Sequence, residues 1–106
     1  MSDEAVDFDY LEGFAAGDMQ VVTEVLALFQ GQAEGWMPRL DRADADGWRD
    51  LAHTIKGSAR GIGATALGEA ADRAEQGDPS LAPELRAALA DALAAIEGYL
   101  TRIGGG

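Results

Sequence analysis

The chain contains a single histidine, His53, at the start of the segment HTIKGSAR that spans residues 53–60. A neutral imidazole is a nucleophile near physiological pH. When the segment is drawn as an α-helix, Arg49, Lys56 and Arg60 fall within about 60° of His53 around the helix axis. They are three of only eight basic residues in a chain of net charge −11. Cations around a nucleophile suit an incoming anionic group, and a phosphoryl group is the obvious candidate.

The same segment predicts that His53 faces solvent. Six apolar residues share a stripe roughly 100° wide on this helix, namely Trp48, Leu51, Ala52, Ile55, Ala59 and Ile62. His53 projects from nearly the opposite side of the helix. The imidazole is therefore expected on the surface, away from the core.

Two residues beside His53 in the sequence support a site of this kind. Lys56, at i+3, is placed to hold an ammonium beside a group on the imidazole. Gly57, at i+4, sits in a helix interior, where glycine costs roughly 1 kcal/mol relative to alanine, and it clears the surface next to His53. Close helix packing is the alternative reason for Gly57, but its position opposite the apolar stripe argues against that. For Arg49 an ordinary charged face remains an open alternative.

The sequence predicts five helices and no strands. The expected segments are 8–15, 18 to about 40, 47–62, 66–76 and 80 to about 103. Asp18 is the expected N-cap of the second, and either Asp44 or Asp46 that of the third. Gly31, Gly35 and Pro38 are expected to bend the second helix without ending it. The expected apolar stripes of the other long helices are Val22, Val25, Phe29, Trp36 and Leu40; Leu67, Ala70, Ala71 and Ala74; and Leu85, Leu89, Ala92, Ile96, Leu100 and Ile103.

Four amphipathic helices with short connections predict an all-α fold, an antiparallel up-down-up-down four-helix bundle with the short first helix capping one end. A hairpin turning near Ala64 places residues whose numbers sum to about 128 at the same level, which pairs His53 with Glu75 and Lys56 with Asp72. Glu75 is then the natural acceptor of a hydrogen bond from His53 Nδ1–H. That bond would leave Nε2 unprotonated and directed outward.

Composition limits the classes of function. The 106 residues are 47% hydrophobic and 25% charged, which indicates one folded domain over 1–106, with a core at about 8–103 and a glycine tail at 104–106. The acidic balance argues against nucleic-acid binding. We see neither a secretory signal nor an apolar run near the ~20 residues that a membrane span needs. The expectation is a cytoplasmic protein that does not bind membranes.

Other chemistries lack the residues they require. One histidine and no cysteine do not make a zinc site, and the Glu-x-x-His pairs of a di-iron bundle do not occur. The glycine-rich run at 57–63 lacks the lysine and the register of a phosphate-binding loop. No general base lies near Ser58 to form a hydrolase triad. The sequence therefore predicts no metal site.

The segment HTIKGSA at 53–59, followed by IGA at 62–64, resembles the signature of the histidine phosphotransfer (HPt) domains of bacterial two-component phosphorelays. The resemblance extends over about residues 8–103. It implies that His53 accepts a phosphoryl group from a receiver-domain aspartate or gives it to one. It also implies that Lys56 neutralises the phosphoryl charge, that Gly57 lets the receiver approach, and that Glu75 holds the imidazole. Arg60 is not a fixed feature of the signature, so its role rests on geometry alone.

The resemblance implies a stoichiometric phosphoryl carrier rather than an enzyme, since a nucleotide-binding region is lacking. No cofactor of its own is expected, because Mg²⁺ and the aspartate would come from the partner. The expected partners are receiver domains of response regulators and hybrid histidine kinases, and we expect a monomer. A similar domain begins chemotaxis-type kinases, but the ends of this chain favour a stand-alone shuttle. An adaptor that docks a receiver or kinase without being phosphorylated is the alternative.

Overall fold

The structure is a computed structural model that describes residues 5–42, 45–77 and 79–104, without the side chains of 45 and 46. Five α-helices follow one another: α1 (Phe8–Phe14), α2 (Met19–Asp41), α3 (Ala45–Gly61), α4 (Thr65–Gln76) and α5 (Ala82–Gly104). A 3₁₀ turn at Pro79–Leu81 precedes α5. The described residues contain no strand. The four long helices form the predicted all-α bundle, an elongated body of 43 × 23 × 22 Å.

Aspartates begin the first two helices. Asp7 caps α1, where its Oδ1 accepts a hydrogen bond from Tyr10 N at 3.0 Å. Asp18 caps α2 as predicted, and its Oδ1 accepts bonds from Gln20 N and Val21 N at 3.1 and 3.3 Å. Each bond satisfies an amide that has no partner within its own helix.

The start of α3 differs from the prediction. The helix begins at Ala45, so Asp46 lies inside it and is not its N-cap. Asp44, the other predicted cap, lies outside the described residues. The difference of two residues is typical of helix ends, where local patterns specify the boundary weakly.

The last helix also differs at both ends. Ser80 does not start it, because the chain first makes the 3₁₀ turn and the α-helix begins at Ala82. Pro83 lies in its first turn, as predicted, where a missing N–H has no intrahelical partner. Gly104 belongs to the helix rather than to the expected tail, while residues 105 and 106 lie outside the described part. Through Gly31 and Pro38, α2 continues to Asp41; the bend expected there stays a prediction.

The core lies between the apolar faces of the helices. All six residues of the predicted α3 stripe and all four of the α4 stripe are buried. On α2, Val25 is only half-buried, whereas Leu26 and Ala33 are fully buried. On α5 the predicted stripe fails near its end: Tyr99 is buried, and Ile103 is 40% exposed.

Contacts with α1 explain why Tyr99 is buried on α5. The ring of Tyr99 stacks on Phe8, with centroids 4.1 Å apart, and its hydroxyl donates to Glu12 Oε2 at 2.5 Å. At the same end of the bundle, Asp7 N donates to Gly63 O at 2.9 Å. The short helix thus caps the bundle by joining the α3–α4 turn and α5.

The hairpin of α3 and α4 is fixed at both ends. Gly63 makes the turn with φ +78°, a conformation that costs L-residues with a Cβ roughly 1–2 kcal/mol. Trp48 is buried near the start of α3, and its Nε1 donates to Ala74 O near the end of α4 at 2.7 Å. This bond satisfies a carbonyl in the last turn of α4. Together the turn and the bond set the register between the two helices.

Candidate functional site

His53 lies on the outer face of α3. Its side chain is 68% exposed, while its neighbours Ala52 and Ile55 are fully buried. The helical period that turns those residues inward turns His53 outward, as the sequence predicts.

Glu75 of α4 holds the imidazole. Its Oε2 lies 2.9 Å from His53 Nδ1. An ionised carboxylate only accepts hydrogen bonds, so Nδ1 carries the proton, and in the neutral imidazole Nε2 then keeps its lone pair. Nδ1 is turned towards Glu75 on a side chain that is 68% exposed, so Nε2 is the ring nitrogen left for a partner. The structure therefore brings together the two residues that the hairpin register pairs.

Lys56 is less free than the sequence indicates. Its Nζ lies 2.6 Å from Glu75 Oε1 and 3.3 Å from Asp72 Oδ1. Its side chain is only 17% exposed, because its stem lies against α4 and its charge is held between two carboxylates. The hairpin register predicts that Lys56 lies level with Asp72, but it does not predict the ion pair with Glu75.

In the cluster of Lys56, Asp72 and Glu75, the ammonium stabilises both carboxylates and each carboxylate stabilises the ammonium. A hydrogen bond from Lys56 is the main reason that the pKa of Glu75 lies below its usual value, and the bond from His53 adds to it while desolvation opposes both. Lys56 likewise lowers the pKa of Asp72. In return, Glu75 first and Asp72 second raise the pKa of Lys56. At neutral pH both carboxylates and the ammonium are charged.

Open surface adjoins the imidazole at Gly57. A Cβ built there would meet nothing within 4 Å, so the chain's own packing does not require glycine at this position. Gly61, one turn further along, is equally open. Open surface alone therefore does not distinguish Gly57 from Gly61. Gly57 differs in that it lies one turn from His53.

The two arginines predicted to bind the partner are both exposed. The Arg60 side chain runs beside Gly68, where an added Cβ would lie 3.4 Å from Arg60 Cγ. Arg60 also lines an open cleft of about 400 Å³ with Asp7 and Glu69. It thus reaches towards α4 and α1, while Arg49 lies one turn before His53 on α3. Their contact with a partner stays a prediction.

The site offers one outward imidazole nitrogen, a carboxylate that fixes the tautomer and a cation beside both. That set suits transfer of a phosphoryl group to nitrogen. Within the described part of the chain, no group of three or more His, Cys, Asp or Glu residues could hold a metal ion.

Comparison with known proteins decides the family. The model of the Hpt domain matches residues 16–99. The chain belongs to the Hpt domain family. The structure of this Hpt domain is similar to the crystal structure of the histidine phosphotransferase ShpA from Caulobacter crescentus, with 51% sequence identity, 94% of each chain covered and a TM-score of 0.82. A search of curated protein sequences finds no match.

Membership confirms the resemblance drawn from the segment around His53 and makes the chain a phosphorelay phosphotransfer protein. Hpt proteins are phosphocarriers rather than kinases, and they interact with receiver domains of two-component systems. Among the described helices, none is both long and apolar enough to cross a membrane.

Proposed function

We propose that this Hpt domain carries a phosphoryl group on Nε2 of His53 and passes it between receiver-domain aspartates. The observation that supports this most is the 2.9 Å contact between Glu75 Oε2 and His53 Nδ1 on a side chain that is 68% exposed. It leaves one nucleophilic nitrogen, directed to where a partner would approach.

The transfer is a displacement at phosphorus. The Nε2 lone pair of His53 attacks the phosphorus of a receiver aspartyl phosphate in line with the bond to the carboxyl oxygen. The P–N bond forms as the P–O bond breaks, and the aspartate leaves as a carboxylate. The ring keeps its Nδ1 proton and becomes a phosphoimidazolium, whose positive charge faces the Glu75 carboxylate. In the reverse reaction, the phosphoryl group passes from Nε2 to the aspartate of another receiver.

The other residues of the site assist that step. Lys56 donates a hydrogen bond to Asp72 Oδ1 and forms an ion pair with Glu75 Oε1, and its ammonium has further protons to donate to a phosphoryl oxygen. The open surface at Gly57 admits the receiver. Arg49 and Arg60 contact the receiver around the site. Mg²⁺ and the aspartate belong to the receiver, so the chain needs no cofactor of its own.

The protein acts stoichiometrically, as a monomeric carrier without catalytic turnover of its own. Its partners are receiver domains of response regulators and of hybrid histidine kinases. We place it in the cytoplasm, where receiver domains act, and its acidity argues against nucleic acid as a partner.

The experiment is incubation of the protein with radiolabelled phosphorylated receiver domains. Wild type and the α5 surface variant Asp91→Asn should acquire an acid-labile, base-stable label. His53→Gln should acquire none and should keep its thermal midpoint, since an exposed side chain contributes little to stability. A label that persists on His53→Gln would contradict the proposal. Binding of receivers without any label on wild type would favour the adaptor instead.

A further inference from the structure

One residue of the cluster has no part in the transfer step. Asp72 lies one turn before Glu75 on α4 and bonds Lys56 Nζ through Oδ1 at 3.3 Å. Glu75 holds both His53 and Lys56, whereas Asp72 interacts with Lys56, with the side chain of Gln76 and, electrostatically, with Arg60, and not with His53. Its effect on the imidazole must therefore pass through Lys56.

The cluster is negative before any phosphoryl group arrives. One ammonium lies between two carboxylates, and the ammonium is well covered, with 17% of the Lys56 side chain exposed against 39% for Asp72. A phosphoryl group brings about two further negative charges. It must share the charge of Lys56 with Asp72 and Glu75.

We propose that Asp72 is a positioning residue that holds the charge of Lys56 against α4 and so shifts the transfer equilibrium away from phosphohistidine. The inference rests on the proposed function. Its consequence is that His53 holds the phosphoryl group loosely and passes it on readily, as a carrier between two receivers requires.

The substitution Asp72→Asn removes the negative charge of Asp72 and nearly preserves the size of its side chain. It frees Lys56 from one carboxylate and lets the ammonium turn towards the phosphoryl oxygens. The equilibrium constant for transfer from a phosphorylated receiver to His53 should rise about 3- to 10-fold, and not further, because Asp72 is partly exposed and solvent screens its charge. Added salt should reduce the difference from wild type.

Two controls separate this effect from a general change of charge. Asp91→Asn makes the same chemical change on an exposed part of α5 and should leave the equilibrium constant within about twofold of wild type. Asp72→Glu restores the carboxylate and should bring the constant back towards the wild-type value. An equal rise in Asp91→Asn would overturn the proposal.

Two further measurements show whether Asp72 acts through Lys56. The ζ-nitrogen signal of Lys56 in NMR spectra of the unphosphorylated protein should titrate at a lower pH in Asp72→Asn than in wild type. In a Lys56→Met background, Asp72→Asn should change the transfer constant by less than about twofold, since a double-mutant cycle isolates the coupling. An undiminished effect in that background would overturn the proposal.

The outcome for the proposed function is distinguishable from the outcome for Asp72. If wild type accepts no phosphoryl group from any receiver, the carrier function fails and the role of Asp72 falls with it. If wild type is labelled on His53 but the transfer constant of Asp72→Asn equals that of wild type, only the role of Asp72 is wrong.

Discussion

At the scale of single residues, the site depends on one carboxylate that serves two partners. Glu75 Oε2 accepts from the imidazole of His53, and Oε1 holds the ammonium of Lys56. The first contact selects the tautomer, and the second keeps a cation within reach of the ring. Lys56 of α3 and Glu75 of α4 thus act on the same nucleophile, the imidazole of His53.

Lys56 should matter more than Arg60 for transfer. Lys56→Ala removes a hydrogen bond to charged oxygens, worth about 1.5–3 kcal/mol, so the transfer rate should fall roughly 10- to 100-fold. Arg60→Ala should slow transfer less, because Arg60 lies two turns from His53 and reaches towards α1 and α4. Rapid-quench kinetics with one phosphorylated receiver provide the comparison. A larger loss for Arg60→Ala would mean that Lys56 is not the main phosphoryl contact.

Substitutions at Gly57 should affect helix stability and receiver docking differently. Gly57→Ala adds a Cβ that meets nothing within 4 Å, so it should stabilise the protein by up to about 1 kcal/mol through helix propensity. Gly57→Gln should fold as well but slow transfer, because its side chain would stand where the receiver approaches. Urea unfolding measures the stability of both variants, and transfer rates measured on the same samples show the effect on docking. Equal transfer rates for Gly, Ala and Gln would place the docking surface elsewhere.

Much of this residue-scale geometry follows from the sequence. The helical period places His53 outside, and the hairpin register pairs it with Glu75. The contact of Lys56 with Glu75 was not predicted, because the period gives the direction of a Cβ but not the path of a flexible four-carbon stem. Whether Arg49 or Arg60 touches a receiver stays a prediction.

At the scale of elements, the α3–α4 hairpin positions the site. Gly63 turns the chain, and the bond from Trp48 to the end of α4 fixes the register at the other end. His53 and Glu75 lie between these two points. A shift of one residue along either helix would rotate a side chain by about 100° and separate the imidazole from its carboxylate.

Gly63→Ala should destabilise the protein by about 1–3 kcal/mol. The residue has φ +78°, and an added Cβ would lie 3.0 Å from the carbonyl oxygen of Asp7. Gly61→Ala is the matched control, since Gly61 is helical and open and should be neutral or slightly stabilising. Urea denaturation followed by circular dichroism measures both. Equal stability of the two variants would contradict the role given to the turn.

The end of α5 shows what a local pattern misses. Periodicity predicts that Leu100 and Ile103 are buried, yet Leu100 is only half-buried, Ile103 is exposed and Tyr99 is the buried residue. Its partners, Phe8 and Glu12, lie about ninety residues away in α1, so no window along α5 contains the information. The α3 stripe was predicted in full because a single helical period decides it.

At the scale of the whole molecule, α1 closes one end of the bundle through Tyr99. Burial, together with the hydrogen bond to Glu12, raises the pKa of Tyr99 to about 12. The folded protein thus keeps this proton at a pH where the unfolded chain, with a value near 10, has lost it. The stabilisation is complete below pH 10 and declines as the pH rises towards 12.

The molecule should therefore lose stability above pH 10, with Tyr99 contributing at most about 3 kcal/mol of the change. Tyr99→Phe should be less stable than wild type at pH 8, and the difference should narrow between pH 10 and 12. Urea unfolding across that range measures both proteins. A difference that stays constant with pH would show that the Tyr99 hydroxyl does not titrate in this way.

The proposed function depends most directly on which atom carries the phosphoryl group. Protein labelled with ¹⁵N in the imidazole ring and phosphorylated by a receiver domain provides the measurement, as NMR coupling between ³¹P and ring nitrogen. Because Glu75 holds Nδ1 and leaves Nε2 free, the coupling should appear at Nε2 of His53 and at no other nitrogen. A phosphoryl group on Nδ1, or on any residue other than His53, would contradict the proposed function.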